Sequence, residues 1–132
     1  MCFTVENKAI QAERDIECYK VMIDLPDGKV NSCCFPVKGG YSMEDTILGE
    51  GALHGHPRRF AKMLSGLSIL SSQVVHSFIN YDVAKKVCFW YKFYGHSHFC
   101  IVKCIIPKGT WYWYNGKDSE YASFKLKLIK LM

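Results

Sequence analysis

Apolar and polar positions alternate most plainly in FKLKLIKL, residues 124–131, where lysines interleave with leucine and isoleucine, and this pattern predicts a closing strand. Upstream, DIECYKVMI (residues 15–23) reads as a first strand. The Pro-Asp-Gly turn chemistry of DLPDG (residues 24–28) then leads into a second extended run, KVNSCCFPV (residues 29–37), so the two predict a hairpin. From Lys38 to His56, glycines and polar residues follow no period and predict an irregular segment. Pro57 suits the first position of a helix that RRFAKMLSGL (residues 58–67) would continue until Gly66 weakens it. QVVHSF (residues 73–78) reads as a short strand. Asn80 stands where a helix cap stands, and Val83, Ala84, Val87, Trp90 and Tyr91 recur on one helical face up to Gly95, predicting a helix that turns Val83, Val87 and Trp90 to the core. Beyond it, HFCIVKCIIPKG (residues 98–109) predicts a core strand, and TWYWYNGKDSEYAS (residues 110–123) carries an Asn115-Gly116 signal for a tight two-residue hairpin turn. This order predicts an α+β fold: a single domain over residues 1–132, with a small mixed or antiparallel split sheet and two or three helices.

Composition fits one core, with 132 residues, 49% hydrophobic and 22% charged. No apolar run reaches the ~18 residues of a membrane span, and MCFTVENKAI lacks the basic start and apolar stretch of a secretory signal, so a cytoplasmic protein with no membrane partner is expected. Seven cysteines, an odd number, read as reduced thiols, several of them small core residues. A formal charge of +5 favours anionic partners. The basic residues are scattered apart from Arg58-Arg59 and the final Lys-Leu alternation, so nucleic acid is not the expected partner.

Few residues suggest chemistry. His54 with His56, and His96 with His98, could each chelate from one face of an extended chain, with Cys100 continuing the second face. Neither pair has the spacing of an established zinc motif, and they read as polar loop histidines with no metal. Cys100 and Cys104 face the same way as Val102 on the presumed core strand and read as packing. The run Trp111-Tyr112-Trp113-Tyr114 puts both indoles on one side and both phenols on the other; one side belongs to the core, and the other suits a structural edge or a platform for a flat ligand.

The segments MCF, DIECYKV, VVHSFINYDVAKK, KCIIPKGTWYWYNG and SEYASFKLKLI, in that order, resemble those of small uncharacterised proteins of gut Bacteroidetes and their phages, and the resemblance implies a mobile-element setting. More distantly, the layout is similar to that of the ADP-ribosyltransferase fold. That likeness implies that Lys20, or less naturally Arg14, replaces the arginine that grips NAD phosphates, that Ser77 lies on the second motif, and that Glu120 matches the late carboxylate. Lys in place of Arg loses a bidentate clamp, and Asp118 stands where arginine transfer uses a second glutamate, which points to binding without catalysis.

The expected function is therefore non-enzymatic capture of a small phosphate-bearing nucleotide, an ADP-ribose derivative or a cyclic nucleotide immune signal. Lys20, Arg58 and Arg59 would meet the phosphates, Trp111 or Trp113 would stack on the base, and Ser77 and Glu120 would bond ribose hydroxyls. No cofactor is expected. A divergent ADP-ribosyltransferase or NAD-cleaving enzyme, with NAD as substrate and Glu120 as its catalytic carboxylate, is the second reading, and an inhibitor of a host protein the third; self-association stays open.

Overall fold

The computed structural model of this chain describes residues 2–4, 9–33, 36–49, 68–70, 74–94 and 98–132. They form β1 (Cys2–Thr4), β2 (Ile10–Gln11), β3 (Ile16–Asp24), β4 (Val30–Asn31), β5 (Thr46–Leu48), β6 (Ser68–Leu70), β7 (Val75–Phe78), α1 (Tyr81–Tyr94), β8 (Phe99–Ile106), β9 (Trp111–Asn115), β10 (Glu120–Ser123) and β11 (Lys125–Leu131). β1 and β6 pair as a separate antiparallel ribbon. The remaining nine strands make one sheet in the order β2-β9-β10-β7-β3-β8-β11-β5, with β4 also on β3 and each neighbouring pair antiparallel.

The α+β expectation, a small split sheet with two or three helices, is thereby corrected. The described chain is mainly antiparallel sheet with one helix. The discrepancy comes from β2 and β5, strands of two or three residues that gain their ladder partners β9 and β11 only once long-range neighbours are in place, whereas β4 closes the hairpin with β3 that the sequence predicts. The helix predicted from Pro57 lies outside the described residues.

Connectivity shows how the sheet is bent. Only Phe124 separates β10 from β11, yet these strands stand four places apart in sheet order. At about 4.8 Å per strand a flat sheet would separate them by roughly 19 Å, which the two Cα steps through one residue, about 7 Å, cannot bridge. The sheet therefore coils so that β2-β9-β10-β7 faces β3-β8-β11-β5, and the chain turns the corner at Phe124. Phe124 is buried and meets Trp113 edge to face at 5.5 Å.

The inner face carries Cys18, Met22, Val75, Val102, Cys104, Ile106, Leu126 and Leu128, with Tyr112 and Tyr121 packed against them. Each fully buried Met22, Ile106, Leu126 or Leu128 contributes about 1.5–3 kcal/mol of transfer free energy. On the outer face, α1 covers β3 and β8 with Ala84 and Cys88 against Val21 and Ile101. Val21 and Met22 are both buried because β3 is covered on each side, which also erases strict alternation from its sequence. β3 pairs with β8 over eight residues, from Ile16↔Ile106 to Ile23↔Phe99, but meets β7 through the single pair Tyr19↔Phe78.

Two local expectations also change. Asn80 Oδ1 accepts from Val83 N at 2.9 Å, so the cap forms as predicted, but Trp90 is 55% exposed. The core stripe is Ala84, Val87, Cys88 and Tyr91, and Trp90 falls about a quarter-turn outside it. In the β9–β10 hairpin Asn115 pairs with Glu120, so Gly116 to Ser119 form a four-residue loop in place of the tight Asn-Gly turn. The left-handed residue is Ser119, at φ 51°. Asn115 organises the loop: Oδ1 accepts from Lys117 N at 3.1 Å and Asp118 N at 3.4 Å, while Nδ2 donates to Asp118 Oδ2 at 3.1 Å.

Candidate functional site

After β2 the chain bends through Glu13, Arg14 and Asp15 into β3. Four hydrogen bonds fix this bend to the β8–β9 corner: Asp15 Oδ1 accepts from Lys108 N at 2.8 Å, Gly109 N donates to Ala12 O at 2.8 Å, Ala12 N donates to Thr110 O at 2.9 Å, and Gln11 Nε2 donates to Gly109 O at 3.0 Å. Beside it lies a cavity of about 720 Å³, with Ile10 and Ile16 as apolar wall and Tyr112 and Tyr121 as aromatic wall. Gln11, Glu13, Arg14, Asp15 and Glu17 complete the lining with polar groups.

Strand register places the aromatics. Ile10 pairs with Tyr112 and Ser123 with Tyr112 on its other side, so Tyr112 projects from the inner face together with Tyr121. Their rings stand 5.8 Å apart at 79°, and Tyr114 meets Tyr121 at 5.5 Å. A planar ligand can stack on one of the pair while meeting the edge of the other. Burial, aided by Tyr112, Cys18 and Tyr114, pushes the Tyr121 phenol above its usual range, so its hydroxyl remains a donor at neutral pH.

Among the described residues the lining charges are one guanidinium, from Arg14, and three carboxylates. Two of the carboxylates are engaged elsewhere, Asp15 with the Lys108 amide and Glu17 with Lys103 Nζ at 3.0 Å. Arg14 can grip a phosphate in bidentate fashion, and Glu13 can accept from a hydroxyl or an exocyclic amine.

The residues named from sequence are not gathered at one place. Lys20 lies on the inner face, half-buried, with Nζ donating to His76 O at 2.8 Å. Ser77 is fully buried on the same face with its hydroxyl hydrogen-bonded to the Cys18 thiol, and among the described residues it has no nitrogen or oxygen partner. Glu120 is on the outer face, where His76 Nδ1 donates to its Oε1 at 3.1 Å. Trp113 is 1% exposed on that outer face, and Trp111, half-buried, shares its side. Arg58 and Arg59 lie outside the described residues. Sequence reasoning favoured the indoles and gave Arg14 second place; the phenols were visible in the alternation of Trp111 to Tyr114, but which face lay inward was not.

The cysteine reading as packing holds for Cys100 and Cys104, both on the inner cluster. Desolvation pushes the Cys18 thiol up to about 11 against smaller opposing pulls from Ser77 and Lys20, and it raises Cys104 further. Of the His-x-His residues only His98 is described, and among the described residues no three His, Cys, Asp or Glu side chains gather in a metal-holding group. No family model, curated protein or solved structure matches this chain.

Proposed function

We propose that this protein is a non-catalytic binding module that captures a small nucleotide with a single phosphate group in the cavity between the Glu13–Asp15 bend and the β9–β10 ribbon. The observation that carries the reading is the meeting of Arg14 with the Tyr112 and Tyr121 rings around about 720 Å³, within the size range of small-ligand sites. Arg14 holds the phosphate, one tyrosine stacks on the base, and Glu13 takes a ribose hydroxyl or an exocyclic amine. A polyphosphate is disfavoured, because among the described lining residues one guanidinium stands with three carboxylates. This seat uses Arg14 in preference to Lys20, and it leaves Glu120 in its bond to His76 on the opposite face. A cytoplasmic setting accords with the buried free thiols of Cys18, Cys88 and Cys104, and in a phage or mobile element the use of such a module is removal of a signalling nucleotide.

Calorimetric titration with AMP, a cyclic mononucleotide and ADP-ribose tests this. Binding of a monophosphate is expected, with loss on the order of tenfold or more in Arg14→Ala and in Tyr112→Ala at a nearly unchanged melting temperature in the first. Mass spectrometry of the recovered ligand should find it intact. Unaltered affinity in Arg14→Ala, or no heat with any of the three, would refute the assignment, and a cleaved product would favour the enzymatic reading.

A further inference from the structure

Helix α1 shows solvent a face that its packing on the sheet does not use. Ala84 and Cys88 are buried, with Val87 and Tyr91 half-buried beside them. Away from the sheet, Phe89 is 64%, Trp90 55% and Phe93 70% exposed. Exposed Lys85, Lys86 and Lys92 are interleaved with these rings, against Asp82 as the helix's one acid. Exposed rings of this size on a packed helix lose apolar transfer free energy that burial would recover.

We propose that this face is a docking surface for an anionic lipid bilayer, with α1 lying in the headgroup layer, Phe89 and Phe93 entering the acyl boundary, Trp90 at the interface and the lysines against lipid phosphates. Charge selects this occupant. Three lysines around an aromatic stripe complement an acidic bilayer, whereas twofold pairing of two copies would bring like-charged lysines together. Ring geometry disfavours a single-stranded nucleic acid: Trp90 stands at 76° to both Phe89 and Phe93, centroids 6.4 Å apart, so the rings pack edge to face and offer no parallel plates for bases. The surface is also the convex side of a helix, which suits a deformable lipid layer. At 14 residues α1 lies on a bilayer; no helix among the described residues is long and apolar enough to cross one.

The test is co-sedimentation of the whole chain with vesicles of phosphatidylcholine alone and of phosphatidylcholine with about one-third phosphatidylserine. Binding is expected only to the acidic vesicles and should weaken as salt rises. Phe89→Ser with Phe93→Ser should reduce it on the order of a hundredfold, and each of Lys85→Gln, Lys86→Gln and Lys92→Gln about fivefold. Melting temperatures measured in parallel check that the exposed substitutions leave the fold intact. Absence of binding to acidic vesicles, or undiminished binding of the double phenylalanine variant, would overturn the proposal. So would a concentration-dependent dimer that these substitutions dissolve while vesicle binding is absent.

Discussion

Asn115→Ala should loosen the β9–β10 ribbon, and its cost can be built from three hydrogen bonds. The side chain is 3% exposed, accepts from Lys117 N and Asp118 N, and donates to Asp118 Oδ2. A net hydrogen bond is worth about 1 kcal/mol, less for the stretched contact at 3.4 Å. The bond to the exposed Asp118 carboxylate adds only about 0.5 kcal/mol, because water screens it. The sum is about 2 kcal/mol, or a melting shift of roughly 6 °C for a domain of this size. Circular dichroism melts and urea unfolding, with the denaturant slope unchanged, would read it. Asp118→Ala removes the third bond alone and should cost about 0.5 kcal/mol. A loss under about 0.5 kcal/mol in Asn115→Ala, or equal losses in both variants, would refute the assignment of loop order to the two backbone amides.

Ser119→Val should cost about 1–2 kcal/mol, since a β-branched residue fits poorly at positive φ, while Ser119→Gly should not destabilise; paired thermal melts compare them. Trp113→Ala should cost about 3–5 kcal/mol and Trp90→Ala under about 0.5 kcal/mol; urea midpoints that fall equally in both would contradict the outward placement of Trp90. Alkali should destabilise the fold through Cys18 and Cys104, whose thiols ionise at higher pH when folded than the ordinary 9.0. Their contribution is complete below pH 9; that of Cys18 is lost as pH rises toward about 11 and that of Cys104 at higher pH still, the unfolded chain giving up protons first. The slope from both is about 3 kcal/mol per pH unit at its steepest, and urea midpoints that stay level from pH 8 to about 10.5 would contradict it.

The strands legible in the sequence are those whose own residues carry the signal. Residues 15–23 and 98–106 are long runs rich in apolar, aromatic and β-branched side chains, and they become the central strands β3 and β8. The cap at Asn80 was legible for the same local reason. Trp90 was misplaced because Val83, Val87 and Trp90 fit a helical stripe almost as well as Ala84, Cys88 and Tyr91 do, and only the small residues Ala84 and Cys88 let the helix approach the sheet. At Asn115-Gly116 the dipeptide signal lost to a side chain that binds two amides of a longer loop. The candidate site was the least visible part. Arg14 and Tyr121 are 107 positions apart, and what joins them is the coiling of the sheet, which no local pattern encodes.

That coiling gives the molecule a hinge and a latch. The two halves of the sheet share a continuous chain at Phe124 on one side, while on the other β3 and β7 hold each other through Tyr19↔Phe78. Where this pairing stops, Lys20 Nζ reaches across to His76 O at 2.8 Å, an ammonium fastening two strands whose backbones have parted. Amide deuteration should accordingly release β7, β10 and β9 as one block before β3 and β8. Neutralising that one ammonium would lower the opening free energy of the block without removing any apolar side chain from the interior.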